Sequence, residues 1–425
     1  MSTEILDHKG SLCCHLQGDL RRLYILGSHM VLQIGTNDFE SFPSGHFLRN
    51  PIRFTDQGAT DDHPFQSWLH DPLLEVFSAR RPVEIRCDKH NECEKSGREA
   101  VLLNCLDKTY GHAFYKLLNV DIIQKNHPGL DVIVLIHRAL SWMVPEGVEQ
   151  WVVDVPFGLQ DEWLEGLESF VVGELGRFSK LHLAPLVMSF KMEQIDLQRF
   201  ISTRPFPFQN LRSTPLQISI VLRDDRFWLC SRWNSMLFLA TLKWHLLQYC
   251  RPYFRRLQQR NYNRLIRILR RRFPDIRFKA LGMATQAKLE VEEDLCESYE
   301  AYIAHEPARC EIYAQSQIAI GVLGSHMLLP SYLAAGFISL TPTFKIPNFA
   351  EDYVPRADEP ATRRIYMTRF LSQSNRPGIV AEHIYHMIIG GAAHGDKWDV
   401  DQLSMDSELA RYSGGQPQSL GASDS

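Results

Sequence analysis

Residues 312–342 read IYAQSQIAIGVLGSHMLLPSYLAAGFISLTP. The apolar run 317–322 has the length and β-branched content of a buried strand. Leu323, Gly324 and Ser325 form a turn, and 326–335 has helical length before Gly336 stops it. Residues 337–340 then read as a second buried strand. The unit is strand, turn, helix, strand, in which the first strand delivers the chain to a helix start. Gly321 and Gly324 allow close backbone approach, and Ser325 is a candidate cap for the amides of the next turn. Such amides, with the positive end of a helix dipole, suit a phosphate. The spacing is not G-x-G-x-x-G, so it is no dinucleotide fingerprint. A plain strand-to-helix connection has the same pattern, and both readings stand.

Outward from this unit, strands and helices alternate along two long stretches. From Ala100 there is a strand (100–106), a turn at 107–111, a helix (112–124), a strand (131–136), a short helix (139–144), a strand (148–153), a helix (164–175) and a strand (180–187). Alternation of this kind implies a parallel sheet with helices on its faces. We therefore expect a Rossmann-like domain over 99–195. Residues 196–214 carry Pro205 and Pro207 and read as an ordered linker. A second Rossmann-like domain is expected over 215–390. Its parts are a strand at 216–222, helices at 236–248 and 253–272, a strand at 277–281, an acidic helix at 290–304, the opening unit, a loop with Asn348 and Asp352, and a helix at 377–388. Residues 1–98 read as an appendage containing β-structure, with a hairpin at 23–35, a helical rhythm over 64–77 broken near Pro72, and a strand at 83–87. Residues 391–425 are rich in Gly, Ser, Gln and Asp and are expected to be disordered.

At 425 residues, with 44% hydrophobic and 23% charged residues, the chain has the composition of a globular protein. No apolar run approaches the roughly eighteen residues of a membrane span. Residues 1–11, MSTEILDHKGS, lack a signal-peptide pattern, so the expectation is a cytoplasmic protein. The nine Cys are scattered, and the adjacent Cys13 and Cys14 are poor disulfide partners. Cys87 and Cys93 flank His90, but no second ligand pair accompanies them, and the segment reads as a loop rather than a zinc site. The net charge of −4 gives no reason to expect DNA binding. Residues 251–279 hold eleven Lys and Arg and one acid, Asp275. That stripe is a candidate for peripheral membrane contact. Its alternative is compensation by the acids from Glu290 to Glu300.

Candidate chemistry falls where strands hand over to loops, at 107–112, 137–138, 223–228 and 323–326. Ligands of open α/β sheets bind at such strand ends. Arg223 and Arg226 lie just past a strand and can fork onto a diphosphate, with Arg223 preferred as the nearer. Their alternative is an ion pair with Asp224 or Asp225. His112 at a helix start is a candidate general base, and Asp107 is the other.

Several strings resemble bacterial glycosyltransferase-like proteins of the GT-B fold. They are Tyr110-Gly111-His112 with Lys116-Leu117-Leu118-Asn119, Trp142 to Val148, Leu222-Arg223-Asp224-Asp225-Arg226-Phe227-Trp228, and Ile320 to Ser331. The last is similar to G-V-H-G-S-x-M-L-L-P-S, with Leu323 at the family-type His and a His three places on, at 326. The resemblance covers about 100–390. It implies two Rossmann-like domains facing a cleft, and a nucleotide-diphosphate sugar as donor substrate rather than as cofactor. Donor-binding residues would be Arg223, Arg226, Gly324, Ser325, His326, Asn348 and Asp352. His112 or Asp107 would take the proton of a hydroxyl on an unidentified glycan, lipid or protein acceptor. No D-x-D string stands at a strand end, which goes with metal-independent transfer. The rival reading is an inactive binding or scaffolding protein on the same fold, to which Leu323 points. A third is a nucleotide-sugar enzyme, such as an epimerase, that transfers nothing.

Overall fold

The computed structural model describes residues 22–394, apart from 49, 61–65, 93–96, 157, 189–191, 212–214, 284–287, 299–300, 302–304 and 357–365. Cys13, Cys14, Cys93 and the tail from 395 onward lie outside the described residues. The chain is α/β, with two largely parallel sheets and a small antiparallel one.

The small sheet is a meander of Arg22–Leu26, His29–Gln33, Asp38–Ser41, Arg53–Thr55 and Gly58–Ala59. The hairpin expected in 23–35 is its first pair, with Leu26 opposite His29. Gly27 turns there at φ +58, and a Cβ would overlap the Gln160 carbonyl oxygen at 1.5 Å, so the turn admits only glycine. The helical rhythm near Pro72 becomes Asp71–Ala79, with Pro72 in the first turn, where its missing N–H costs nothing.

The first parallel sheet runs in the order Lys180–Leu183, Glu99–Asn104, Asp131–His137, Glu149–Asp154, with Arg86–His90 added antiparallel at one edge. Helices lie along both faces of its central strands, so these strands are apolar runs rather than alternations. The segment holding Cys87 and His90 is therefore an edge strand of this sheet, not a loop and not a detached part of the appendage. The helix expected over 112–124 is two, Tyr110–Leu117 and Asn119–Asn126, which meet at Leu118. The helix expected from 164 begins at Leu167, because Trp163–Glu165 pairs instead with Pro82–Glu84.

The second sheet is parallel throughout, in the order Glu293–Cys296, Arg277–Met283, Gln217–Arg223, Ile318–Val322, Gly336–Thr341, Thr368–Ser372. The two strands of the opening unit are neighbours in its interior. Their crossover is shorter than expected: a 3-10 turn, Ser325–Met327, leads into Leu328–Leu333, and Ala334 is already extended. Of the acidic helix expected over 290–304, the first part is instead the edge strand Glu293–Cys296; Ala301 is helical, and 299–300 and 302–304 lie outside the described residues. The acids of that first part face basic neighbours, with Lys279 to Glu293 at 3.0 Å and Arg270 to Glu292 at 2.6 Å. Charge on an edge strand blocks pairing with other chains, so acidity there does not imply helix. The last helix, Pro377–His394, runs past the Gly390 expected to end it.

One apolar cluster draws on both parallel sheets. It joins Val101, Phe114 and Val134 to Val221, Leu328 and Phe337. A second packs Leu265 and Ile384, from Leu247–Arg272 and Pro377–His394, on the other face of the second sheet. Each buried Leu or Ile contributes about 1.5–3 kcal/mol, so this shared cluster stabilises the packing of the two sheets. Among the described residues no helix is long and apolar enough to cross a membrane.

Candidate active site

Gln217–Arg223 and Ile318–Val322 are parallel neighbours, so both deliver their C-terminal loops to one edge of the sheet. Arg223 ends the first strand. Its Nη1 lies 3.0 Å from Nδ1 of His326. A guanidinium only donates, so Nδ1 accepts and the ring proton sits on Nε2. His326 is 4% exposed, and Nε2 has no partner among the described residues. Burial, then Arg223 and Arg226, hold its pKa well below the ordinary histidine value, so the ring stays neutral. Arg226 donates from Nη1 to the Leu323 carbonyl at 2.7 Å. Leu323 itself is buried and meets the site through its carbonyl.

Gly324 sits among these cations. A Cβ there would lie 2.6 Å from Arg223 Nη1, 2.9 Å from His326 Nδ1 and 3.0 Å from Arg226 Nη1. Its φ of 161° is extended and unstrained, so glycine is required by the close approach of the side chains.

Two carboxylates already face this cluster. Asp225 accepts from Arg223 Nε and Nη2, both at 2.5 Å, so the ion-pair alternative holds for Asp225. Burial would raise its pKa, but the Arg223 hydrogen bonds and Arg226 outweigh it and hold the carboxyl below its usual range. Asp224 pairs with Arg255 instead. Asp352 takes the Gly324 amide. Burial pushes its carboxyl up to about 6, against the pull of Arg226, Arg223 and that amide, with Glu351 adding to the rise.

Of the other expected donor residues, Ser325 caps no amide, and Asn348 is bonded to the Glu351 side chain outside the cluster. The backbone cradle predicted at 324–326 is correspondingly reduced. The helix behind it has six residues, too short for a strong dipole, and the first amide is taken by Asp352. The anion-attracting groups are side chains.

Across from this edge, Asp107 follows the strand Glu99–Asn104. It accepts from the Thr109 amide at 2.9 Å, and its carboxylate lies 3.0 Å from Lys116 Nζ and 3.5 Å from His112 Nδ1. Burial opposes the charge, but Lys116, His112 and the Thr109 amide hold Asp107 well below the usual carboxylate range. A carboxylate so stabilised is a poor base. Its geometry instead orients His112, leaving that ring's Nε2 to accept a proton.

Sequence reasoning missed two histidines on this side, His46 beside His112 and His29 near Asp107. The His46 ring lies 4.9 Å from His112 and 5.1 Å from Trp68. His29 stands near Asp107 and Lys116. Burial pushes both down to about 4, assisted at His46 by His112 and at His29 by Lys116 and Lys108. They come from the antiparallel meander, and no local spacing in the sequence connects them to Asp107 or His112. Among the described residues no three His, Cys, Asp or Glu side chains are placed to share a metal ion.

The two clusters meet at Gly111 and Ser325. A Cβ on Gly111 would lie 2.9 Å from the Ser325 Cβ and 3.3 Å from Leu328 Cδ1. His112 follows Gly111, and Ser325 stands between Gly324 and His326. Tyr115, on the same helix as Gly111, donates to the Glu351 carbonyl at 3.1 Å, next to Asp352. The helix Tyr110–Leu117 thus touches both the 324–326 turn and the loop that carries Asp352.

Comparison with protein-family models, with curated proteins and with solved structures gives no match.

Proposed function

We propose that this chain is a metal-independent glycosyltransferase of GT-B type. It would take a sugar from a nucleotide-diphosphate donor and pass it to a hydroxyl acceptor. The observation that carries the reading is the convergence of the Arg223 and Arg226 guanidinia, with His326 Nδ1 beside them, on Gly324. This is a cationic, hydrogen-bond-donating corner at the C-terminal edge of a parallel sheet. The diphosphate would displace Asp225 from Arg223 and Asp352 from the Gly324 amide, while His326, accepting from Arg223 through Nδ1, would hold that guanidinium in place. Charge developing on the departing diphosphate is then met by groups already in place. His112, oriented by Asp107, would accept the acceptor's proton from the opposite side of the Gly111–Ser325 contact. In this reading residues 99–195 form the acceptor side, 215–390 the donor side, and the meander supplies His29 and His46 to the acceptor pocket.

The rival is a binding or scaffolding protein without turnover. It is favoured by one feature: Asp225 already pairs with Arg223, and Asp352 already takes the Gly324 amide, the groups a donor would use. Incubation with UDP-, GDP-, CMP- and ADP-sugars, followed by measurement of released nucleotide, separates the two. Release above the uncatalysed rate, lost in His112→Ala, supports transfer. Binding of a nucleotide sugar with no release under any acceptor mixture supports the rival.

A further inference from the structure

The helices Arg232–Lys243 and Leu247–Arg272 form a hairpin beside the second sheet. The first has one buried stripe and one exposed apolar stripe. Ser235, Phe238 and Thr241 face inward and are buried. Trp233, Met236, Leu237 and Trp244 recur at helical spacing on the opposite side, and they are 78%, 58%, 47% and 64% exposed. A helix needing only one buried face has no folding reason to carry a second.

The exposed face of the second helix continues this surface. Tyr249 and Tyr253 stand in its first two turns, and Arg256 and Arg260 follow at the same angular position. Residues 227–274 contain eleven Lys and Arg and no Asp or Glu, in a chain whose net charge is −4. Among the described residues, Arg255 with Asp224 is the one ion pair in the N-terminal half of the long helix, and those to Glu290, Glu292 and Glu382 sit in its C-terminal half. Bare aromatic and aliphatic side chains and solvated arginines are therefore concentrated at the same end.

We propose that this hairpin is a docking surface for an anionic lipid bilayer. Trp and Tyr settle at the headgroup level, Leu and Met reach the acyl boundary, and arginines meet lipid phosphates. The charge complementarity names the partner: an acid-free patch with apolar anchors fits a negatively charged membrane surface. A nucleic acid would use the arginines but would leave Met236 and Leu237 in water. The surface uses none of the residues assigned to the active site and does not depend on the chemistry assigned there. The basic stripe expected over 251–279 supplies only part of it, and the anchors precede that stripe.

The test is co-sedimentation of the full chain with vesicles of phosphatidylcholine mixed with phosphatidylserine, against phosphatidylcholine alone. The wild type is expected to bind the anionic vesicles and to release at about 1 M salt, where the screening length falls to about 3 Å. Trp233→Ser with Trp244→Ser should abolish binding. Arg256→Gln with Arg260→Gln should weaken it about fivefold per charge removed. Circular dichroism should match the wild type for both, since all four side chains are exposed. No binding of the wild type to anionic vesicles would overturn the proposal, as would equal binding by the tryptophan variant. It would also fall if light scattering showed a dimer that the tryptophan variant dissociates, or if the arginines bound RNA in a chain that ignores vesicles.

Discussion

Gly111 and Ser325 are in contact across the two parallel sheets, with room for a hydrogen but not for a methyl group on Gly111. This contact sets His112 against the cationic turn at 324–326.

Gly111→Ala tests it through a sign. Gly111 is inside a helix, where alanine ordinarily stabilises by up to about 1 kcal/mol over glycine. Here the new Cβ meets the Ser325 Cβ at 2.9 Å, so we expect net destabilisation of about 1–3 kcal/mol. Ser325→Gly should recover much of that loss in the double variant. Chemical denaturation of the four proteins measures the coupling, and additive effects would refute the contact.

Gly324→Val places two methyl groups where Arg223, Arg226 and His326 converge. Nucleotide-sugar affinity should fall at least tenfold while circular dichroism stays native. A folded variant that binds as tightly as the wild type would make the turn a structural connection only.

Asp352 gives the site a pH dependence. Its carboxyl, raised to about 6, is charged above that pH and competes with a diphosphate for Arg223, Arg226 and the Gly324 amide. A diphosphate ester keeps its own charge through this range. Donor affinity of the wild type should therefore rise as pH falls from 7 to 5, a window of about one pH unit to either side of that midpoint. Asp352→Asn should bind tightly and without slope over the same window. Calorimetry at several pH values checks this, and a parallel slope in the variant would clear Asp352 of the effect.

Glu306 is 1% exposed, and burial raises its carboxyl from 4.5 to about 7, with Arg309 and Tyr110 opposing. The folded state thus holds the proton more tightly than the unfolded state. Its stabilising contribution is full below about pH 4.5, declines as pH rises, and is gone above about pH 7. Glu306→Gln keeps the shape without the charge, and Arg309 keeps Glu297 at 3.1 Å. We expect the variant to be about 1–3 kcal/mol more stable than the wild type at pH 8, and nearly equal to it at pH 4. Urea unfolding at the two pH values decides, and a less stable variant at pH 8 would refute the assignment.

The alternation of buried strands and helices was legible because parallel strands covered on both faces are continuous apolar runs, as in Ile318–Val322 and Asp131–His137. The same rule fails at edges. Glu293–Cys296 and Arg86–His90 are polar strands, and their composition reads as helix or loop until a neighbour is present to pair with them. The cationic half of the site was readable because Arg223 and Gly324 each follow a recognisable strand. The partners Asp225 and Asp352 were readable only as residue types, since distance decides which carboxylate an arginine takes. His46 reaches His112, and His29 reaches Asp107 and Lys116, through packing of the meander on the first sheet, and no sequence period records that.

The most direct test is thermal unfolding of wild type and Arg223→Ala with the same panel of nucleotide sugars. Arg223→Ala removes a charge-assisted contact worth about 1.5–3 kcal/mol to the ligand. At a hundred times its dissociation constant, one donor should stabilise the wild type by about 2.7 kcal/mol, and Arg223→Ala should lose most of that shift. No shift with any donor, or an equal shift in both proteins, would contradict the assignment of this site to a nucleotide sugar.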